Sequence, residues 1–196
     1  MSQNSKSGNY RKYTSRNPLM GGIVVSGFMK DLSETIAPLE EVGSIIDIGC
    51  GEGFIINCLN RKDITGVDVS KKALNIAKQK NPGCNFCTGS IYELSFKKSS
   101  FDLVIATEVL EHLENPERAL REIKRISKKY CIFSVPNEPY FRTMNFLRGK
   151  NLTRLGNDIE HLQNWSTKEF VKLVGKHFNV VEVKRPFPWT MVLCEK

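Results

Sequence analysis

The chain is short of histidine, of acidic charge and of long apolar runs, and each shortage narrows what it can do. Histidine occurs three times in 196 residues, so imidazole chemistry rests on His112, His161 or His177. No apolar run approaches the ~18 residues of a membrane span. The opening MSQNSKSGNYRKYTSRNP has no apolar signal core, and a soluble, cytoplasmic chain is expected. Six cysteines include one C-x-x-C, CNFC at 84–87, with no second half to complete a zinc site. Buried thiols in a reducing compartment are the expectation. Lys plus Arg outnumber Asp plus Glu by 29 to 21, a net charge of +8. That balance suits an anionic partner such as RNA or a phosphorylated metabolite, and equally a solvated basic surface.

What is present is a strand–helix alternation. Residues 1–17 are polar and expected to be flexible; residues 18–196 read as a single domain. A helical segment at about 18–40 precedes SIIDIGC (44–50), a β-branched run ending in glycine. FIINCLN (54–60) reads as helix, DITGVDVS (63–70) as strand, and KKALNIAKQK as a helix stopped by Asn-Pro-Gly. CNFCTGS, FDLVIAT and YCIFSVP are further strands, with a helix from Pro116 to about Lys128 between the last two. Apolar strands alternating with helices imply a mostly parallel sheet covered on both faces. The pattern stops over 137–164, a connection long enough to serve as a lid or pocket wall. STKEFVKLVGKHF carries Glu169 placed for a capping box, and VVEVKRPF and TMVLCEK close the chain as strands.

The chemistry begins at IIDIGCGEGF. Glycines at 49, 51 and 53 let backbone amides approach a ligand at a helix start, the usual cofactor position in an open parallel sheet. A nicotinamide-type G-x-G-x-x-G would need glycine where Phe54 stands. Asp47 puts a carboxylate where a pyrophosphate would be repelled and an amino group attracted. Asp68, 19 residues after Gly49, is placed to accept from both hydroxyls of a ribose. An adenosine ligand bearing an ammonium is S-adenosylmethionine.

With IIDIGCGEG, GVDVS, TGSI and FDLVIATEVLEHL together, the chain from about Ile45 onward resembles the class I S-adenosylmethionine-dependent methyltransferases. The resemblance implies a three-layer Rossmann-like α/β fold, a seven-stranded sheet of order 3-2-1-4-5-7-6 with the last strand antiparallel. It implies that Asp47, Gly49, Cys50 and Gly51 line the methionine part of the cofactor, and Asp68 and Val69 the ribose and adenine edge. Ser90 and Ile91 would flank the adenine, and Thr107 and Glu108 would lie beneath the sulfonium. The family often has an acidic residue at the place of Ser90; a hydroxyl bonds the adenine amino group more weakly. Upstream, Tyr13 and Arg16 could close over the cofactor carboxylate or form a basic arm.

ATEVLEHLENP sets Glu108, Glu111 and His112 at i, i+3 and i+4, one face of a helical turn. With the distant H-x-x-x-W-S at His161, the E-x-x-E-H resembles the metal site of small-RNA 3′-terminal 2′-O-methyltransferases, and it is also similar to ubiquinone-pathway O-methyltransferases. By that resemblance Glu108, Glu111, His112 and His161 would hold Mg²⁺, Mn²⁺ or Zn²⁺. The alternative is a metal-free turn in which Leu110 and Leu113 pack and His161 acts alone as general base. His177 reads as a surface or boundary residue. The insertion 137–164 would shape the acceptor pocket. Its Arg142, Arg148, Lys150 and Arg154 favour an anionic acceptor; Tyr140, Phe141, Phe146 and Trp165 favour an aromatic one, or anchor the loop. The expected activity is O-methylation of a small or prenylated metabolite, with Glu108, His112 and His161 as catalytic candidates. An RNA 2′-O-methyltransferase and a non-catalytic cofactor-binding module are the rival readings.

Overall fold

The computed structural model describes residues 18–147 and 161–196. The polar N-terminal segment with Tyr13 and Arg16 lies outside them, as do Arg148, Lys150 and Arg154 of the insertion. Helix α1 (Pro18–Ile36) precedes β1 (Ile45–Ile48), α2 (Phe54–Leu59), β2 (Ile64–Asp68), α3 (Lys71–Lys80), β3 (Asn85–Thr88) and β4 (Phe101–Thr107). A 3₁₀ turn at Leu110–His112 leads to α4 (Pro116–Ile126) and β5 (Ser127–Pro136). Then come α5 (Tyr140–Leu147), α6 (Thr167–Gly175), β6 (Asn179–Lys184) and β7 (Trp189–Glu195).

The sheet has the expected order, β3-β2-β1-β4-β5-β7-β6. Strands β1 to β5 pair in parallel, and β7 runs antiparallel between β5 and β6. The central strands are largely apolar because helices cover both faces: β1 is buried at every position and β5 at most of them. One core cluster includes Ile46, Val104, Leu120, Phe133 and Phe170; the other includes Leu32, Ile45, Leu103, Ile132 and Trp189. Since side chains alternate along a strand, Ile45 and Ile46 feed opposite cores. No described helix is long and apolar enough to cross a membrane.

Helix starts follow the local chemistry. Ser70 accepts from the Ala73 amide, and Asn115 from the Arg118 amide with Pro116 at the first helical position. The Ser166–Glu169 capping box forms in both directions. Two expectations change. The stretch after Pro136 is not without regular structure, because α5 occupies its first part. Of the cysteines, all free, Cys50, Cys131 and Cys194 are buried, whereas Cys58 and Cys87 are exposed.

Candidate active site

Two neighbouring turns at the carboxyl ends of the central strands build the site. The first follows β1. Gly49, Gly51 and Gly53 all have positive φ, and a Cβ at Gly49 would stand 2.4 Å from Val109 Cγ2. Glycine is therefore required there by both backbone and space. The expectation that these amides face a ligand is corrected. Gly49 and Cys50 donate to the Val67 carbonyl at 2.7 and 3.0 Å, and Gly51 donates to Asp68 Oδ2 at 2.8 Å. The glycines instead keep the floor of the pocket open, with their amides satisfied inside the turn.

Asp68 takes a second amide, Ser70, on Oδ1 at 2.8 Å. Each carboxylate oxygen keeps acceptor capacity for a hydroxyl. Val69 beside it is 66% exposed, and Ile91 is buried. Ser90 Oγ accepts from the Tyr92 amide at 3.3 Å, leaving its hydroxyl proton to donate. Asp47 is buried, its Oδ2 has no hydrogen-bond partner among the described residues, and burial, helped by Asp68, pushes its carboxyl up to about 8. A buried orphan acceptor of this kind is stabilised by a cationic donor.

The pocket between these groups is lined by Asp47, Gly49, Gly51, Thr107, Glu108 and Trp189. Val25 and Phe28 of α1 and Phe54 and Ile55 of α2 also line it, and sequence reasoning missed all four along with Trp189. Phe28 and Trp189 meet edge-on with centroids 5.2 Å apart. Nothing local marks these side chains as pocket residues, since each also reads as ordinary core. Cys50 lines the same pocket, but burial pushes its thiol far above the usual range, so it is no nucleophile.

The second turn follows β4. Glu108 has φ 56°, a left-handed conformation uncommon for a residue with a side chain. The helical face expected for Glu108, Glu111 and His112 is thereby split. Trp189 Nε1 donates to Glu108 Oε2 at 2.6 Å and Ser134 Oγ to Oε1 at 3.2 Å. Burial pushes the Glu108 carboxyl up to about 8 despite these two bonds.

Glu111 and His112 turn the other way. Glu111 is buried, and neither carboxylate oxygen has a hydrogen-bond partner among the described residues. Burial first, then the charge of Glu108, holds its carboxyl well above the usual range. His112 Nε2 lies 3.9 Å from Glu111 Oε1, and the His112 and His161 rings sit edge-on with centroids 5.1 Å apart. One ligand atom each from Glu111, His112 and His161 lies within 4.8 Å of the other two. His161 is brought in by backbone: Leu162 and Gln163 donate to the Glu111 carbonyl at 2.9 and 3.0 Å, and Gln163 Nε2 to the Leu113 carbonyl. Phe141 of α5 flanks His161 with a centroid distance of 5.4 Å. Three of the four expected metal ligands thus converge, while Glu108 stands outside that group. His177, half-buried at the far end of α6, takes no part.

Sheet order and the glycine turn are those of the class I, Rossmann-like methyltransferase fold. Residues 46–135 match the model of a family described as a methyltransferase domain. An uncharacterised methyltransferase of Schizosaccharomyces pombe is 34% identical over 105 residues, 46% of this chain and 38% of the relative. The ubiquinone biosynthesis O-methyltransferase of Coxiella burnetii is 29% identical over 90 residues, 43% of this chain and 38% of the relative. The chain spans well under half the length of either relative. Magnesium protoporphyrin IX methyltransferase of Synechocystis PCC 6803 shares the fold with a TM-score of 0.69 at 18% identity, over 92% of this chain and 89% of that one.

Proposed function

We propose that the chain transfers a methyl group from S-adenosylmethionine to an oxygen of a small acceptor bearing two neighbouring hydroxyls, a catechol or vicinal diol. The observation that carries this reading is the Glu111 carboxylate, buried with both oxygens unpaired by hydrogen bonds and set against two imidazoles. Burial and the neighbouring Glu108 favour the protonated form of this carboxyl in the ligand-free site, and a divalent cation would displace that proton and stabilise the carboxylate beside the two imidazoles. The mixed oxygen and nitrogen donors fit Mg²⁺, Mn²⁺ or Zn²⁺. Glu111, His112 and His161 would hold the ion, with Glu108 as fourth donor once released from Trp189 and Ser134. A bound divalent ion supplies Lewis acidity, lowering the pKa of an acceptor hydroxyl.

The remaining work falls to the chain itself. Asp47 pairs with the cofactor's ammonium, while Gly49, Cys50 and Gly51 admit its methionine portion. Asp68 accepts from the ribose hydroxyls; Val69, Ser90 and Ile91 frame the adenine. Thr107 and Glu108 form the floor beneath the sulfonium. The acceptor oxygen attacks the methyl carbon in line, the C–O bond forms, and the C–S bond breaks with its electron pair kept by sulfur, giving S-adenosylhomocysteine. In a metal-free site His161 would take the hydroxyl proton as general base; with both imidazoles holding an ion, the proton would leave to solvent. The name of the Coxiella relative, a ubiquinone biosynthesis O-methyltransferase, supports an oxygen acceptor.

A second reading, an RNA 3′ end as acceptor, is favoured by one observation: the terminal ribose is itself a vicinal diol and the chain carries +8. A non-catalytic cofactor-binding module is disfavoured by the intact turn and Asp68. Turnover on catechols, prenylated phenols and RNA 3′ ends, with and without chelator, tests these readings. Turnover that survives both chelation and His161→Ala rejects the metal; saturable S-adenosylhomocysteine binding without turnover on any acceptor revives the module.

A further inference from the structure

A second cavity, of about 380 Å³, adjoins the cofactor pocket with Trp189 as the common wall. It is lined by the segment after β5, the first turn of α6 and the approach to β7, and the mechanism above uses none of its other residues. Two of its rings, Tyr140 and Phe187, are 57% and 56% exposed and stand 6.3 Å apart, close to edge-on. Large aromatic surfaces left in water beside a concavity gain from being covered. Lys168 and Arg185 bring two cations to the same lining. The start of α6, capped by Ser166, adds the positive end of a helix dipole.

The one carboxylate in the lining, Glu138, is half satisfied. Its Oε2 accepts the Arg142 amide at 3.3 Å, while its buried Oε1 has no hydrogen-bond partner among the described residues. That oxygen is enclosed by the protein and does not open to the cavity, so the rings and the cations are what line the space.

We propose that this cavity anchors the acceptor by a planar aromatic ring that carries a carboxylate or a phosphate. The ring packs against Tyr140 and Phe187, and the anion lies on Arg185 and Lys168. The inference rests on the reading of the neighbouring pocket as the cofactor site, and it names the class of acceptor that would reach it.

The test is a calorimetric titration of the full chain saturated with S-adenosylhomocysteine, using two pairs of probes: 3,4-dihydroxybenzoate against catechol, and adenosine 5′-monophosphate against adenosine. The anionic member of at least one pair should bind about tenfold or more tightly than its neutral counterpart. Which pair shows the preference separates a carboxylate from a phosphate. The preference should vanish in the double variant K168A/R185A, while its affinity for S-adenosylhomocysteine, read separately, stays at the parent value. Phe187→Ala should weaken both members of the preferred pair by a similar factor. Equal affinities within both pairs, a charge preference that survives the double variant, or no binding of any probe overturns the proposal. Charge-selective binding without methyl transfer to any acceptor leaves the anchoring site standing and removes the activity; methyl transfer to neutral catechol with no charge preference does the reverse.

Discussion

The turn after β1 and the turn after β4 lie side by side at one edge of the sheet, and they hold their carboxylates in opposite ways. Asp68, facing the first turn, has both oxygens engaged by backbone amides. Glu111, in the second, has neither. The first turn is prepared in advance: its shape is built from glycines and its amides are satisfied before any ligand arrives. The second holds two buried carboxyls whose ionisation is resisted by burial and, for Glu111, by the charge of Glu108; an incoming cation would favour it. A turn held by its own hydrogen bonds thus adjoins one with a charge deficit.

The largest test of that contrast is on activity. Glu111→Gln should reduce turnover by about 100-fold or more, as loss of a metal ligand does. The metal-free variant should nonetheless unfold at higher denaturant than the metal-free parent, because a buried carboxyl that must take up a proton on folding has been replaced by a neutral amide. Lower stability together with unchanged turnover would erase the difference between the two turns. On the cofactor side, Asp68→Ala should weaken S-adenosylhomocysteine by about 100-fold in calorimetry, from lost ribose bonds and two freed amides. Binding equal to the parent's would remove Asp68 from the site.

A structural test comes next in size. Gly49→Ala forces a side chain into a left-handed backbone and against Val109, at an expected cost of about 2–4 kcal/mol in urea unfolding. Val109→Ala in the same chain should recover part of that loss, since the clash involves only its methyls. No loss in the single variant would mean that the turn is not held by its glycines.

The charge deficit also predicts a pH dependence. Asp47 and Glu108 are pushed from their usual values of 3.8 and 4.5 up to about 8. Between those values the folded chain keeps protons that the unfolded chain has released. The contribution of these two groups to stability is therefore greatest at low pH and is lost as pH rises toward 8. Thermal unfolding of the ligand-free chain at pH 6, 7 and 8 should show this decline, and Asp47→Asn should flatten it. An unaltered slope in the variant would mean that Asp47 is not protonated by burial. The smallest effect belongs to neither turn: Ser166→Ala removes the capping box of α6 and should cost about 1 kcal/mol.

Legibility in the sequence divides along the same line. Strand identity, the glycine turn and Asp68 follow from short-range pattern, because apolar runs and glycine placement act over a few residues; sheet order follows only from the resemblance to a known family. Glu108 shows where that reasoning stops. Its spacing from Glu111 and His112 predicts a shared face, yet Ser134, 26 residues on, and Trp189, 81 residues on, hold it in another direction. Val25, Phe28 and Trp189 read as core from their neighbours and become pocket wall only because α1 and the start of β7 meet near the turn that follows β1.

The sequence by itself determined a doubly covered, mostly parallel sheet, a glycine turn whose Asp47 disfavours a pyrophosphate, and three candidate ligands in addition to Glu108. Tertiary structure decided which of them meet. His161 is 50 residues from Glu111 and reaches it because two backbone amides bond the Glu111 carbonyl, a contact no local pattern encodes. Burial decided the rest: a carboxylate's spacing is written in the chain, but its charge depends on what closes over it.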